Sequence, residues 1–284
     1  MRSRPRWTRW RASTSTLIFA LAPLGAPTMR RAPVPVGVPQ VVHVTAREFA
    51  FEMPDTLRAG VTTFRLRNVG QQPHHVMVYA VDRGHSLRDV YDALAAGGAH
   101  PGWMHAIGGP NAIIGPRESV ATIDLPAGAY VVFCHIPSPD GRLHFTKGML
   151  KSLVVIPAAT PPADLPAGDV AVQLSDYAFT LSGPLKAGSH RIVITNRGSQ
   201  THELILSRLA PGKTTRDFVH WIEAQDGPPP VTPWGGVTDL GPGRSVVVDV
   251  RLEPGTYSVL CRVRDAGDGR PHDRHGMMKE VVVR

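Results

Sequence analysis

The chain is a succession of short segments in which apolar and polar residues alternate. Around residues 42–51 and 170–179, valines and aromatic residues alternate with polar residues. A period of two with one apolar face is typical of a strand that buries one side in a sandwich. The aromatic pairs in these segments are assigned to the core. Further strands are predicted at 62–68, 129–134, 152–156, 190–196, 256–261 and 279–283.

One helix is predicted to interrupt each series of strands. Ser-Leu-Arg-Asp at 86–89 and Thr-Thr-Arg-Asp at 214–217 resemble capping boxes, and each precedes apolar residues spaced for one helix face. We interpret both helices as packing elements without chemistry.

The same sequence pattern occurs twice, about 128 residues apart. Matching motifs hold this offset through about 110 residues, with a slip to 127 at residues 125–130 and 252–257. Chance does not preserve one register over that length, so the chain contains a duplicated unit. The pairs at offset 128 include 48–51 with 176–179, 57–60 with 185–188, 68–70 with 196–198, and 141–144 with 269–272.

The repeat predicts an all-β fold of two tandem Greek-key β-sandwich domains, each with one short helical insertion. Residues 157–167 contain four prolines among small residues, which predicts an extended linker. The predicted boundaries are a signal peptide and leader at 1–40, domain 1 at 41–156, the linker at 157–167 and domain 2 at 168–284.

The net charge of +8 is concentrated at the start of the chain. Residues 1–40 contain seven arginines and no acidic residue, which leaves 24 basic and 23 acidic residues in the rest. The folded part therefore has no basic field for nucleic acid. The basic start, followed by an apolar stretch at 17–25, is typical of a secretory signal and too short to span a bilayer. We predict export to the periplasm or the exterior, without a membrane span in the mature protein.

Each copy contains one cysteine, at the end of a late strand. Cys134 and Cys261 occupy equivalent places in two domains, so a disulfide between them would require both strand ends to meet within about 7 Å. We expect each cysteine to serve its own domain instead.

Histidine and methionine residues accompany each cysteine at a matching spacing. His144 and Met149 follow Cys134, and a histidine and a methionine follow Cys261 through a loop one residue longer. A further histidine lies just beyond the Asn-x-Gly turn of each copy. One thiolate, two imidazoles and a weak thioether form the donor set of a type 1 copper site.

This arrangement resembles the cupredoxins, such as plastocyanin, azurin and the domains of copper nitrite reductases and multicopper oxidases. It is close to bacterial cupredoxin-like proteins with Pro-His-His and Pro-Ser-Pro-Asp-Gly segments, both present here. The resemblance covers nearly all of residues 41–284 and implies copper as the cofactor. The ligands it implies are His74, Cys134, His144 and Met149 in domain 1, and His202, Cys261, His272 and Met277 in domain 2.

Two ligand assignments have competitors nearby. His75 lies in the same turn as His74, but domain 2 has Glu203 at the second place, which favours His74. His275 competes with His272, whereas domain 1 has Lys147 at the corresponding position. Met is the ligand that varies most among such sites.

The sequence does not provide the extra ligands of the copper enzymes that it resembles. Those enzymes place histidine directly before the cysteine or in His-x-His pairs, whereas Phe133 and Leu260 precede the cysteines here. We expect an electron carrier that exchanges single electrons with redox proteins of the cell envelope. The alternatives are copper sequestration, a structural module with vestigial sites, or an enzyme with a second metal at the domain interface, bound by His100, His105 or His220.

Overall fold

A computed structural model describes residues 38–159 and 163–284. The predicted signal segment falls in residues 1–37, and residues 160–162 belong to the predicted linker; both lie outside the described residues. Copy 1 denotes residues 41–156 and copy 2 residues 168–284. The strands of copy 1 are β1 Gln40–Arg47, β2 Ala50–Glu52, β3 Thr56–Arg58, β4 Gly60–Asn68, β5 Met77–Val81, β6 Met104–Gly108, β7 Glu118–Leu125, β8 Gly128–Phe133 and β9 Leu150–Ile156. Those of copy 2 are β10 Val170–Ser175, β11 Ala178–Leu181, β12 Gly188–Asn196, β13 His202–Leu209, β14 Val231–Leu240, β15 Ser245–Leu252, β16 Gly255–Leu260 and β17 Met278–Val283.

Each copy places two sheet layers around an apolar core. In copy 1, β2, β1, β4 and β7 form one layer, and β6, β5, β8, β9 and β3 form the other. Copy 2 repeats the pattern, with β1 and β10 each parallel to the next long strand, β4 and β12. Inward residues of these alternating strands, such as Phe64, Leu66, Ile192 and Ile194, are buried in the core. The predicted all-β class and sandwich architecture are confirmed.

The two helices begin where the capping boxes predicted them. α1 spans Leu87–Ala96 and α2 spans Thr215–Ala224. Ser86 and Thr214 accept a hydrogen bond from the backbone N–H three residues later, and the aspartate at that position accepts one in return. Each helix packs its apolar face in a small satellite cluster outside the main core. Among the described residues, no helix is long and apolar enough to cross a membrane.

Both sheets continue from one copy into the other, which the sequence did not predict. β7 pairs with β15, and β6 pairs with β14, so an eight-stranded and a nine-stranded sheet each contain strands of both copies. Ala121 pairs with Val248, and residues 120 and 122 face residues 249 and 247. If each residue of one copy is replaced by its equivalent in the other copy, the same set of residue pairs is obtained. The copies therefore associate about a local twofold axis, like the subunits of a symmetric dimer.

The segments nearest this axis pair closely through their backbones. Asn111 N–H donates to the carbonyl oxygen of Gly236 at 3.1 Å, and Thr238 N–H donates to that of Gly109 at 2.9 Å. Both glycines have positive φ, and a Cβ at either would clash with a carbonyl oxygen of the neighbouring strand. Glycine is required here because the chains cross too closely for a side chain. Asn111 and Thr238 thus occupy equivalent places in the two copies.

Candidate metal centres

The last strands of each copy hold the cysteine beside the loop that follows it. Cys134 comes directly after β8, and its N–H donates to the carbonyl oxygen of Met149 at 3.1 Å. Met149 N–H in turn donates to the carbonyl oxygen of His144 at 3.1 Å. A single 3₁₀ turn, His144–Lys147, ends at Gly148 with φ 115° and reverses the chain into β9. The cysteine, histidine and methionine are therefore fixed relative to one another by backbone hydrogen bonds.

Copy 2 repeats this construction although its loop is longer. Cys261 N–H donates to the Met277 carbonyl oxygen at 3.1 Å, and Met277 N–H donates to that of His272 at 3.0 Å. His144 and His272 each donate their N–H at 2.9 Å to the residue two places after the cysteine. The extra residue lies at the tip of the loop. The hydrogen bond that closes the turn there is accepted by the carbonyl oxygen of Arg270 in copy 2 and by that of Arg142 in copy 1. The longer loop therefore leaves the ligand backbone unchanged.

The Asn-x-Gly turn positions the first histidine of each copy. Asn68 donates from Nδ2 to the carbonyl oxygens of Gln72 at 2.7 Å and Ile113 at 3.0 Å. Its Oδ1 accepts from Gly70 N–H at 2.8 Å. Asn196 makes the same contacts in copy 2. This asparagine ties the turn to a neighbouring strand, so that the following histidine points into the sandwich.

Three predicted ligands converge in each copy. We call His74, Cys134 and His144 site 1, and His202, Cys261 and His272 site 2; their ligand atoms lie within 4.8 Å of one another and all six residues are fully buried. The two Nδ1 atoms are 3.1 Å apart in site 1 and 3.0 Å apart in site 2. The cysteine Sγ lies 3.5 Å from the second histidine in both sites and 4.0 Å from the first in site 2.

These separations suit one ion held between the three atoms. A metal binds imidazole nitrogen at about 2.0–2.1 Å and thiolate sulfur at about 2.3 Å, which places bound nitrogens about 3.0–3.5 Å apart and sulfur about 3.5–4.0 Å from nitrogen. A soft thiolate with two imidazoles is the donor set that favours copper over magnesium or calcium.

Outer contacts fix the proton of one histidine in each site. His144 Nε2 lies 3.0 Å from Gln72 Oε1, and His202 Nε2 lies 2.8 Å from Asp176 Oδ1. These oxygens accept hydrogen bonds, so Nε2 of these two rings carries the proton and Nδ1 presents a lone pair to the other ring. His74 Nε2 and His272 Nε2 are buried without a hydrogen-bond partner among the described residues. In each site one buried imidazole beside the thiol therefore has an unsatisfied nitrogen, which suits a site built for a metal.

Burial keeps the imidazoles neutral and the thiols protonated in the metal-free protein. It lowers the pKa of His144 to about 4 and also lowers the pKa of His74, His202 and His272. It raises the pKa of the Cys134 thiol to about 12 and that of Cys261 well above its usual value. A metal ion favours the thiolate, so its binding is coupled to loss of that proton.

The two predicted methionine ligands are buried in the core next to the cysteines. Met149 and Met277 are fully buried and belong to the same core cluster as the cysteines. Their backbones flank the cysteines as described above. Their role as ligands stays a prediction.

The structure places the competing histidines outside the two sites. His75 Nε2 accepts a hydrogen bond from the N–H of His135 at 2.9 Å, so this ring supports the residue after Cys134. His275 lies on the outside of the loop, with Nε2 3.2 Å from Asp268 Oδ1. His75 and His275 are not part of the converging sets.

The three histidines considered for an interface metal do not come together. His100 Nε2 lies 3.9 Å from Asp239, and His105 pairs with Asp82 at the surface. His220 lies on α2. Within the described ranges, the remaining cluster of possible ligands consists of Asp265, Asp268 and His275. Asp265 there already accepts hydrogen bonds from Tyr177 and Gln200.

The sequence reasoning missed the side chains that surround the ligands. Phe49 packs edge-on against the His144 ring with centroids 5.0 Å apart, and Tyr177 packs likewise on His272 at 5.4 Å. Glu48 and Asp176 each bind the turn that carries the first histidine. The repeated motifs at 48–51 and 176–179 were the signal for both roles, but their aromatic residues were assigned to the core alone.

No family model matches the chain, and no curated protein matches it. Among solved structures, it is similar to the blue copper protein auracyanin A of Chloroflexus aurantiacus, at 24% identity over 42% of this chain and 100% of that one, with a TM-score of 0.31. Auracyanin of Roseiflexus castenholzii is 18% identical over 43% of this chain and 100% of that one, with a TM-score of 0.31. Blue copper oxidase of Nitrosomonas europaea is 17% identical over 87% of this chain and 86% of that one, with a TM-score of 0.26. At these scores the likenesses add no weight to the site geometry.

Proposed function

We propose that the protein is an exported electron carrier with a type 1 copper ion in each of two cupredoxin-like domains, 41–156 and 168–284. The observation that carries the proposal is the pair of imidazole Nδ1 atoms, 3.1 Å apart in site 1 and 3.0 Å apart in site 2, that face each other beside a buried cysteine. Copper so bound would supply one-electron chemistry between its Cu(I) and Cu(II) states. Its partners would be redox proteins of the cell envelope.

The rigidity of the sites favours electron transfer over catalysis or storage. Backbone hydrogen bonds fix the cysteine, the second histidine and the methionine, and outer side chains orient the rings. A site held in one geometry needs little rearrangement when the charge of its ion changes. All six converging side chains are fully buried, which favours a carrier over an enzyme because a substrate would have to reach the metal.

Copper loading tests the proposal directly. Metal-free protein titrated with Cu(II) should bind two ions per chain and develop the intense visible absorption of a copper–thiolate bond. Stopped-flow mixing with a small reductant should then bleach this absorption rapidly. A colourless protein would overturn the copper assignment. A coloured protein that resists reduction and reoxidation would favour sequestration over electron transfer.

A further inference from the structure

In both copies, the residue after the cysteine contacts the residue after the second predicted ligand histidine. In copy 1 the ring of His135 stacks on that of Phe145, with centroids 5.7 Å apart and an angle of 8° between the planes. In copy 2 the equivalent pair is ionic, and Arg262 Nη1 donates to Asp273 Oδ2 at 2.7 Å. Each pair ties the start of the ligand loop to the turn that carries the histidine. We call residues 135–148 loop 1 and residues 262–276 loop 2.

The helix of each copy extends this contact by the same kind of chemistry. From α1, the ring of Tyr91 packs edge-on against Phe145, with centroids 5.7 Å apart. From α2, Glu223 accepts hydrogen bonds from Nε of Arg274 at 3.1 Å and from its Nη2, and also lies 3.7 Å from Arg262 Nη1. The helix therefore reaches the loop through aromatic rings in copy 1 and through charges in copy 2.

A cavity of about 230 Å³ separates α2 from loop 2, and the charged side chains span it. Its lining includes Glu223 and His220 of α2, Asp273 and Arg274 of loop 2, and Met278 of β17. Apolar packing between the helix and the loop is interrupted at this cavity. The ion pairs are therefore the contacts through which α2 acts on loop 2.

The inner ion pair of this network is the one that the loop depends on most. The Asp273 side chain is fully buried, and its Oδ1 has no hydrogen-bond partner among the described residues. Arg262 therefore compensates a carboxylate that is shielded from water. Removal of one partner from a buried pair is strongly destabilising, because the other charge is left without compensation.

We propose that Arg262, Asp273 and Glu223 are positioning residues of site 2, through which α2 holds loop 2 in place. This inference rests on the proposed copper function. Asp273 directly follows His272, and the His272 N–H donates to the carbonyl oxygen of Val263, the residue after Arg262, at 2.9 Å. A shift of the ion pair therefore displaces both segments that orient the histidine. The helix that the sequence suggested to be a packing element has a part in the site.

The test compares two helix carboxylates that differ in their contact to the loop. Glu223→Gln keeps the shape of the side chain and removes its charge. Asp92→Asn is the matched control, since Asp92 lies on α1 and pairs with Arg88 of the same helix at 2.8 Å. The ion pair of loop 1, Lys147 with Asp140, lies within the loop and is untouched by either variant.

Hydrogen exchange in the metal-free protein reports how often each loop opens. Glu223→Gln should speed exchange of the His272 N–H by about two- to fivefold, the effect of losing one exposed ion pair. Asp92→Asn should leave exchange of the His144 N–H unchanged. Wild-type protein in about 1 M salt, where the screening length is about 3 Å, should approach the rate of Glu223→Gln. Equal exchange at His272 in the wild type and Glu223→Gln would overturn the role of α2.

The buried pair should have the larger effect. Arg262→Gln removes the charge that compensates Asp273 and should speed exchange of the His272 N–H by more than about tenfold. If this variant does not fold, Asp273→Asn replaces it, since it removes the buried charge without leaving a carboxylate unpaired, and it should act in the same direction. Unchanged exchange in the variant that folds would refute the role of the pair.

Copper binding separates positioning from a merely structural role. In the Cys134→Ser background, competition titrations with Cu(II) report on site 2 alone. Glu223→Gln should lower its affinity by about two- to fivefold, as for the loop, and shift its copper–thiolate absorption. Faster exchange with unchanged affinity and absorption would show that the network stabilises the loop without positioning its ligand. Absence of copper binding in the wild type would instead overturn the proposed function, while the exchange rates would still report the contact between α2 and loop 2.

Discussion

The two sites of this chain have nearly the same inner geometry and different surroundings. The Nδ1–Nδ1 distances differ by 0.1 Å and the shorter sulfur–nitrogen distances are equal. The carboxylate near the first histidine is 3.5 Å from its Nε2 in site 1, through Glu48, but 2.8 Å in site 2, through Asp176. The second histidine is bound by Gln72 in site 1, whereas the corresponding Gln200 binds Tyr177 and Asp265.

The comparison shows which contacts define the site and which adjust it. The identical features are backbone hydrogen bonds of the turn and loop, which depend on conformation more than on side-chain identity. The features that differ are the side chains that surround the converging histidines. Such contacts tune metal affinity and reduction potential without creating the site. Duplicated domains can therefore retain one metal geometry while acquiring different redox properties.

Removing one cysteine at a time should have the largest effect. Cys134→Ser and Cys261→Ser should each lower copper content from two ions per chain to one, because the hydroxyl does not replace the thiolate. Metal analysis and the intensity of the copper–thiolate absorption measure this. Unequal wild-type occupancy of the two sites would appear as unequal losses. Retention of two coppers by either variant would contradict the assignment of that site.

Neutralising the outer carboxylates should separate the two sites. Asp176→Asn should weaken copper binding at site 2 by about 10–100-fold, because it removes the charged partner that orients His202. Glu48→Gln, its matched variant in site 1, should cost less than about tenfold because that carboxylate lies farther from the ring. Competition titrations in the single-cysteine backgrounds measure each site alone. A larger loss for Glu48→Gln would show that the distance difference has no bearing on affinity.

Replacing the methionines tests the axial ligand. Met149→Leu and Met277→Leu conserve volume in a closely packed core, so the metal-free protein should lose less than about 1.5 kcal/mol of unfolding free energy. The copper protein should retain its metal with a shifted reduction potential, since the axial ligand tunes it. Spectroelectrochemistry and urea unfolding give the two values. An unchanged potential would exclude the thioether from the metal's coordination.

The helix caps should give the smallest effects, and equal ones. Ser86→Ala and Thr214→Ala each remove one capping side chain and should lower the unfolding free energy by about 0.5–2 kcal/mol. Because both capping boxes are complete, the scaffold of the two copies should respond alike even where the sites do not. Urea unfolding followed by circular dichroism checks this. A strong asymmetry would show that the helices contribute differently to the two sandwiches.

The parts predicted correctly are those with local signals. Alternation marks the strands because a sheet buries every second residue, and the Ser86 and Thr214 motifs mark the helix starts because they satisfy nearby N–H groups. The order His, Cys, His is also visible in both copies of the repeat, and the structure brings these residues together; their role as ligands stays a prediction. The prediction that each cysteine serves its own copy agrees with both being free and buried.

The parts that the sequence did not predict depend on contacts between distant segments. The pairing of β6 with β14 and β7 with β15 joins residues more than 120 positions apart. The alternation of apolar and polar residues in a strand is the same whether or not another strand pairs with its edge. The packing of Phe49 on His144 and the hydrogen bond from Asn111 to Glu203 are of the same kind. No spacing rule connects those residues.

The sequence alone therefore predicted two similar copies, the strand and helix content, and the types of ligand atom that each copy could offer. Only the tertiary structure decided that His74 rather than His75 faces the cysteine, that a longer loop leaves site 2 intact, and that the two copies share their sheets. The physical reason is that periodicity and capping act within a few residues. Ring orientation and the pairing of sheet edges are fixed by hydrogen bonds between segments that only folding brings together.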